Sequence, residues 1–138
     1  SSDVCSSDLF TLLALHAARP YPRRDGARDR QIDYAGAVAR RLIERGEKVV
    51  LVGDLNTTPF SPVFARLLAS SGLRDSTTLP VPVPRSATST WWLGDTGIGL
   101  QIDHALLGPR IIPISRRLGV PIGSDHLPLM IDFKLALP

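Results

Sequence analysis

Apolar residues along this chain fall into short runs and two helical stripes, with turn residues between them. Val49–Val52 is four apolar residues that follow Glu47 and Lys48 and run straight into Gly53, Asp54 and Asn56. A short apolar run bounded by turn residues reads as a buried strand. On such a strand Asp54 and Asn56, two apart, would point to the same side. Phe10–His16 is a second strand, its apolar Phe10, Leu12, Leu13 and Leu15 uninterrupted by Gly or Pro. Ala17–Arg28 contains Pro20, Pro22 and Gly26 and is expected to be a loop. Then Ile32, Ala35, Val38, Ala39, Leu42 and Ile43 recur at helical spacing. They predict a helix from about Arg30 to Arg45, with Asp29 as N-cap and Gly46 closing it.

Thr57–Ser61 is expected to turn, and Pro62 to open a second helix through Ser71 that buries Val63, Phe64, Leu67 and Leu68 and stops at Gly72. Leu79–Thr90 is rich in proline and serine and reads as an extended loop. It leads into Trp91 and Trp92, for which core packing is preferred over ligand contact. Three more strands follow: Gln101–Leu107, closed by Gly108-Pro109; Ile111–Leu118; and Leu127–Leu135, where Leu129, Ile131, Phe133 and Leu135 share one face. No helix separates them, so antiparallel pairing is expected. Strand, helix, strand at the start and strands at the end make the fold class α/β.

Composition changes this picture little. The 138 residues suffice for one core, and 43% hydrophobic with 21% charged is ordinary for a globular domain. No apolar run is long enough to span a bilayer, and the first residues carry no basic stretch, so no secretory leader is expected. The single cysteine, Cys5, excludes an internal disulfide and a cysteine metal cage. Residues 1–9, SSDVCSSDL, form a near-repeat without strand or helix period. They read as a non-native or disordered tag, the alternative being a frayed native terminus, and residues 10–138 as the domain. The formal net charge is +3, from 16 basic against 13 acidic residues. Leaving out Asp3 and Asp8 gives 16 − 11 = +5. That excess suits an anionic partner such as a phosphate ester without demonstrating one. The arginines of the Ala17–Arg28 loop read as a solvated face rather than a phosphate clamp.

The candidate chemistry sits at strand ends: His16, Asp54 with Asn56, Asp103 with His104, and Asp125 with His126. Side chains there can converge on one rim while the sheet holds them rigid. Carboxylates hold a hard cation through oxygen, a histidine paired with a carboxylate is fixed in tautomer and strengthened as a base, and an Asn can donate to phosphate oxygens. Each piece also has a plainer reading. Asp54 and Asn56 could be a capped turn, Asp103 a buried structural acid, Asp125-His126 a turn before Pro128, and His16 an edge residue.

Taken in order, GDLN at Gly53–Asn56, IDH at Ile102–His104 and SDHLP at Ser124–Pro128 resemble the endonuclease/exonuclease/phosphatase family. This is the superfamily of pancreatic-type deoxyribonucleases, abasic-site endonucleases, sphingomyelinases and inositol-polyphosphate phosphatases. The histidine-ended strand at His16 is similar to the one that precedes GDLN in that family, and the likeness covers about residues 10–138. The resemblance implies a divalent-metal-dependent phosphoesterase that uses Mg²⁺ or Mn²⁺. Asp54 would orient water or sit beside the metal, and Asn56 would hold the phosphate. His126 would be the base or an electrophile, with Asp103 as its partner. Asp125 would be at or near the metal, and His16 would contact the phosphate from the other side. It assigns His104 no catalytic role. Substrates in the family include nucleic acid, nucleotides and phospholipid headgroups, and some bacterial relatives place the domain after membrane helices.

The match is to the C-terminal half of a two-sheet α/β sandwich, with a mixed, largely antiparallel sheet and flanking helices. The family's N-terminal half brings an Asn and a metal-binding Glu that have no counterpart by motif here, since Glu44 and Glu47 flank a helix end. The expectation is therefore an incomplete metal site and an inactive chain. Its partners would be the missing half of the domain and, through the exposed sheet face, other copies of itself. The alternative is a non-catalytic binding or scaffold module that kept the fold.

Overall fold

The computed structural model describes residues 9–21, 26–78 and 88–137. The first strand, β1, is Thr11–Ala14; the helix α1, Ala27–Glu44, leads to β2, Val49–Asp54; α2 is Pro62–Ser71 and β3 Arg74–Asp75. A ribbon follows from β4, Trp91–Trp92, and β5, Gly99–Leu100; then come β6, Asp103–Leu107, β7, Ile111–Leu118, and β8, Leu129–Leu135. Four strands form a mixed sheet in the order β1-β2-β6-β3. β1 runs parallel to β2, and β6 is antiparallel to both β2 and β3. β7 and β8 pair as an antiparallel hairpin, as the lack of a helix between them implied. The chain is an α/β structure with a mixed, largely antiparallel sheet and flanking helices.

Both faces of β2 are covered, which explains why Val49–Val52 shows no polar alternation. Val49 and Leu51 pack toward the helices with Ile32, Ala39, Phe64 and Leu67. Val50 and Val52 pack toward the hairpin with Leu107, Ile111, Ile131 and Phe133. The second helix keeps its expected bounds: Ser61 Oγ accepts from the Phe64 N–H, and Gly72 takes a left-handed φ of +78°.

Three local expectations are corrected. The first helix begins at Ala27, with Gly26 rather than Asp29 as N-cap. The Asp29 carboxylate instead pairs with the Arg28 guanidinium inside the first turn, where the helix dipole favours an acid. The indoles do not build the core, since Trp91 is half-buried and Trp92 exposed. Two-residue strands give a ribbon too small to bury them. The final strand starts at Leu129 rather than Leu127, just past Pro128, which has no N–H for a ladder. The proposed tag lies outside the described residues except for Leu9, as do residues 79–87 of the proline-rich loop and Arg23 and Arg24 of the arginine loop. Among the described residues no helix is long and apolar enough to cross a membrane.

Candidate active site

Register places the site. In the β2–β6 ladder Asp54 lies directly opposite Asp103, so the sheet brings both carboxylates to one end and one face. Two like charges at a direct cross-strand position repel one another. Their side chains are only 16% and 20% exposed, so water does not relieve this fully. His126 sits between them. Its Nδ1 lies 2.8 Å from Asp103 Oδ2, and its Nε2 lies 3.9 Å from Asp54 Oδ2.

Beyond Asp54 the chain leaves the sheet at once. Asn56 has a left-handed φ of +48°, and its N–H donates to Asp54 Oδ1 at 2.8 Å, an Asx turn. The two residues are therefore not successive rungs on one strand face. The turn that replaces that arrangement still brings Asn56 to the rim. Its Nδ2 donates to the Ala17 carbonyl at 2.8 Å, and its own carbonyl accepts from Arg28 Nη1 at 3.2 Å. His16, on the neighbouring strand, sets Nε2 3.6 Å from Asp54 Oδ2 while its side chain stays 74% exposed. Parallel pairing continues past β1, since Leu15 N–H donates to Val52 and Ala17 N–H to Asp54, so the sheet holds His16 beside Asp54.

Of the residues singled out in the sequence, His16, Asp54, Asn56, Asp103 and His126 gather on this rim. Asp54, Asp103 and His126 each offer a ligand atom within 4.8 Å of the others. Asp125 lies outside that trio. Its carboxylate accepts the Trp91 indole N–H at 3.1 Å, a bond that holds its pKa below the ordinary carboxylate value, against slight desolvation and with help from His126 and Arg19. Burial works against the charged form of His126. The hydrogen bond to Asp103 and the charges of Asp103, Asp54 and Asp125 outweigh it, and the imidazole pKa is raised.

His104 faces the other way. It is 1% exposed, lies against the Phe64 ring, and its Nε2 donates to the Thr57 carbonyl at 2.8 Å. Burial lowers its pKa despite that bond, which favours the neutral ring, and the ring braces the turn that carries Asn56. Arg28 and Trp91, which grip Asn56 and Asp125, carried no motif in the sequence. The preferred readings of their loops were a solvated face and core packing, and their partners are far away in the chain.

A family model described as the endonuclease/exonuclease/phosphatase family matches residues 3–126. Comparison with curated proteins gives no match. Among solved structures, the mannosyl-6-phosphatase Bt3783 of Bacteroides thetaiotaomicron is 16% identical with a TM-score of 0.69, the match covering 91% of this chain and 51% of that one. The 3′ phosphatase NExo of Neisseria, bound to a product DNA hairpin, is 20% identical with a TM-score of 0.72, covering 91% and 61%. The human Nocturnin catalytic domain with bound sulfate is 19% identical with a TM-score of 0.63, covering 91% and 46%. At these identities the likeness establishes the fold. The chain spans between 46% and 61% of the length of these structures.

Proposed function

Because this chain belongs to the endonuclease/exonuclease/phosphatase family, as the match over residues 3–126 shows, we propose that it carries the histidine–carboxylate part of a site that hydrolyses phosphate esters. The observation that supports this best is His126 held between two carboxylates, 2.8 Å from Asp103 and 3.9 Å from Asp54, beside the Asn56 turn. Nδ1–H donates to Asp103, which leaves Nε2 to take a proton from a water beside Asp54. Asn56 would face phosphate oxygens, and His16, exposed across from it, would contact them from the opposite side. Asp54 and Asp103 are oxygen donors in like-charge register, a pairing that suits Mg²⁺ or Mn²⁺; Asp125, turned to Trp91, would act at longer range. Such an ion would supply Lewis-acid stabilisation of the phosphoryl charge. The substrate class we propose is a phosphate ester of nucleic acid, nucleotide or phospholipid headgroup.

In the purified chain Mn²⁺ is expected to broaden the NMR signals of Asp54, Asp103 and His126, and Asp54→Ala to abolish the effect. Inorganic phosphate added with the ion is expected to shift the Asn56 side-chain amide. No broadening at the trio would sink the reading and favour a non-catalytic module. We further propose that the chain alone hydrolyses little, since its two glutamates lie at the end of α1, away from the trio. Robust Mg²⁺-dependent phosphodiester hydrolysis, lost in Asp54→Ala, would overturn that point while supporting the first.

The sheet face expected to be open is packed on both sides of β2, so the partner surface is proposed at the edge strand instead. Among the described residues β1 pairs only with β2, and its outer edge adjoins a groove of about 360 Å³ lined by Leu12, Leu13, Ala14, Leu15, Tyr34 and Val38. Leu12 is 55% exposed. We propose that this edge takes the remaining half of a domain of this family, and that in its absence copies of the chain associate there. Leu12→Lys is expected to shift the protein from oligomer to monomer in sedimentation. A wild-type protein that is already monomeric at high concentration would refute the self-association.

A further inference from the structure

Thr90 is completely buried, yet it follows a loop and precedes a half-buried tryptophan. Its N–H, its carbonyl and its hydroxyl oxygen each tie neighbouring segments together. Its N–H donates to the Leu100 carbonyl at 2.9 Å, and its carbonyl accepts from the Leu127 N–H at 2.8 Å. Its Oγ accepts from the backbone N–H groups of Ile102, at 3.3 Å, and Asp103, at 3.1 Å. One side of this residue therefore holds the head of β6, where Asp103 begins. The other side holds the residue after His126. The next residue repeats the pattern: Trp91 bridges to His126 in antiparallel register, and its indole holds Asp125.

We infer that Thr90 is a positioning residue, a buried clamp whose hydroxyl and carbonyl fix Asp103 and His126 at hydrogen-bonding distance from each other. The inference rests on the proposed acid–base use of that pair, but the clamp itself can be tested without it. Asp103 and His126 lie 23 residues apart on separate segments, and β6 does not pair with β8. No ladder sets their spacing directly. Thr90 bonds to both segments, and removing its Oγ would take away the acceptor that the structure gives the Ile102 and Asp103 N–H groups.

The role separates from ordinary packing by substitution. Thr90→Val keeps the shape and removes the acceptor. Thr90→Ser keeps the acceptor and drops only a methyl. The readout is the pair of ring-nitrogen chemical shifts of ¹⁵N-labelled His126, taken where the ring is neutral, which report whether Nδ1 carries the proton that Asp103 accepts. In the wild type and in Thr90→Ser the Nδ1–H tautomer is expected to dominate. In Thr90→Val the two tautomers are expected to mix, and Mn²⁺ binding to weaken about tenfold. An unchanged tautomer in Thr90→Val overturns the clamp. So does a Thr90→Ser protein that loses the tautomer to the same extent, and this arm decides alone if Thr90→Val does not fold. If the wild type holds the Nδ1–H tautomer but binds no Mn²⁺, the phosphoesterase reading fails and the clamp is still judged by the tautomer.

Discussion

Gly53→Ala is expected to cost about 4 kcal/mol or more and to leave little folded protein. Gly53 has φ +143°, and a Cβ built on it would lie 1.9 Å from the Leu15 carbonyl oxygen and 2.9 Å from its carbon. Those are backbone atoms, so no rotamer change relieves the overlap. The ladder pins them: Leu15 N–H donates to Val52 and Ala17 N–H to Asp54, on either side of the glycine. Making room means parting β1 from β2 at the point where His16 meets Asp54. Gly46 provides the control. It also has a positive φ, +83°, but a Cβ there meets nothing within 4 Å. Gly46→Ala should cost only the left-handed strain, about 1 kcal/mol. Equilibrium urea denaturation separates the two. Equal midpoints for both variants would mean that the approach of β1 to Gly53 is not rigid.

That glycine shows how far the sequence could be read. The strand Val49–Val52 was legible because both faces of β2 are buried and only an unbroken apolar run can fill them. The second helix was legible to the residue because Ser61, Pro62 and Gly72 are local signals and act locally. The start of α1 was not, because Asp29 has the right chemistry for a cap but its carboxylate is held by Arg28 one residue away. The rim was visible through three short motifs in order. How those motifs meet was not visible, since the register that sets Asp54 opposite Asp103 is a property of two strands 49 residues apart. Gly53 read as a turn residue; its real constraint is the Leu15 carbonyl, which no local pattern announces. His104 is similar. It stands beside Asp103 but was given no catalytic role, and alternation along β6 turns it to the opposite face, into the packing around Phe64. The tryptophans misled for another reason. Large aromatics usually mark a core, but here one of them uses its indole N–H to hold an acid at the rim.

Asp103→Asn is expected to reverse the shift at His126. In the wild type, burial disfavours the charged ring, and Asp103 supplies both the hydrogen bond and the first of the charges that overcome it. Asparagine can still present an oxygen to Nδ1–H, so the substitution removes charge with little change in shape. Burial then acts against a weaker opposing field from Asp54 and Asp125, and the His126 pKa should fall from above its ordinary value toward or below it. NMR titration of the His126 ring measures this directly. Stability must follow with a definite sign. A histidine whose folded pKa exceeds its unfolded value of about 6.5 stabilises fully below that value, and the contribution is lost as pH rises through the folded pKa. The difference in unfolding free energy between wild type and Asp103→Asn should therefore be larger below about pH 6.5 than in alkali, shrinking as pH rises through the folded His126 pKa. Asp54→Asn should show the same profile at smaller amplitude, because its carboxylate stands 3.9 Å from Nε2 without a hydrogen bond. A difference that grows with pH, or a His126 pKa that does not move in Asp103→Asn, would mean the carboxylates do not govern the imidazole. The ring would then be held by packing alone, and its use as a base at this rim would lose its physical footing.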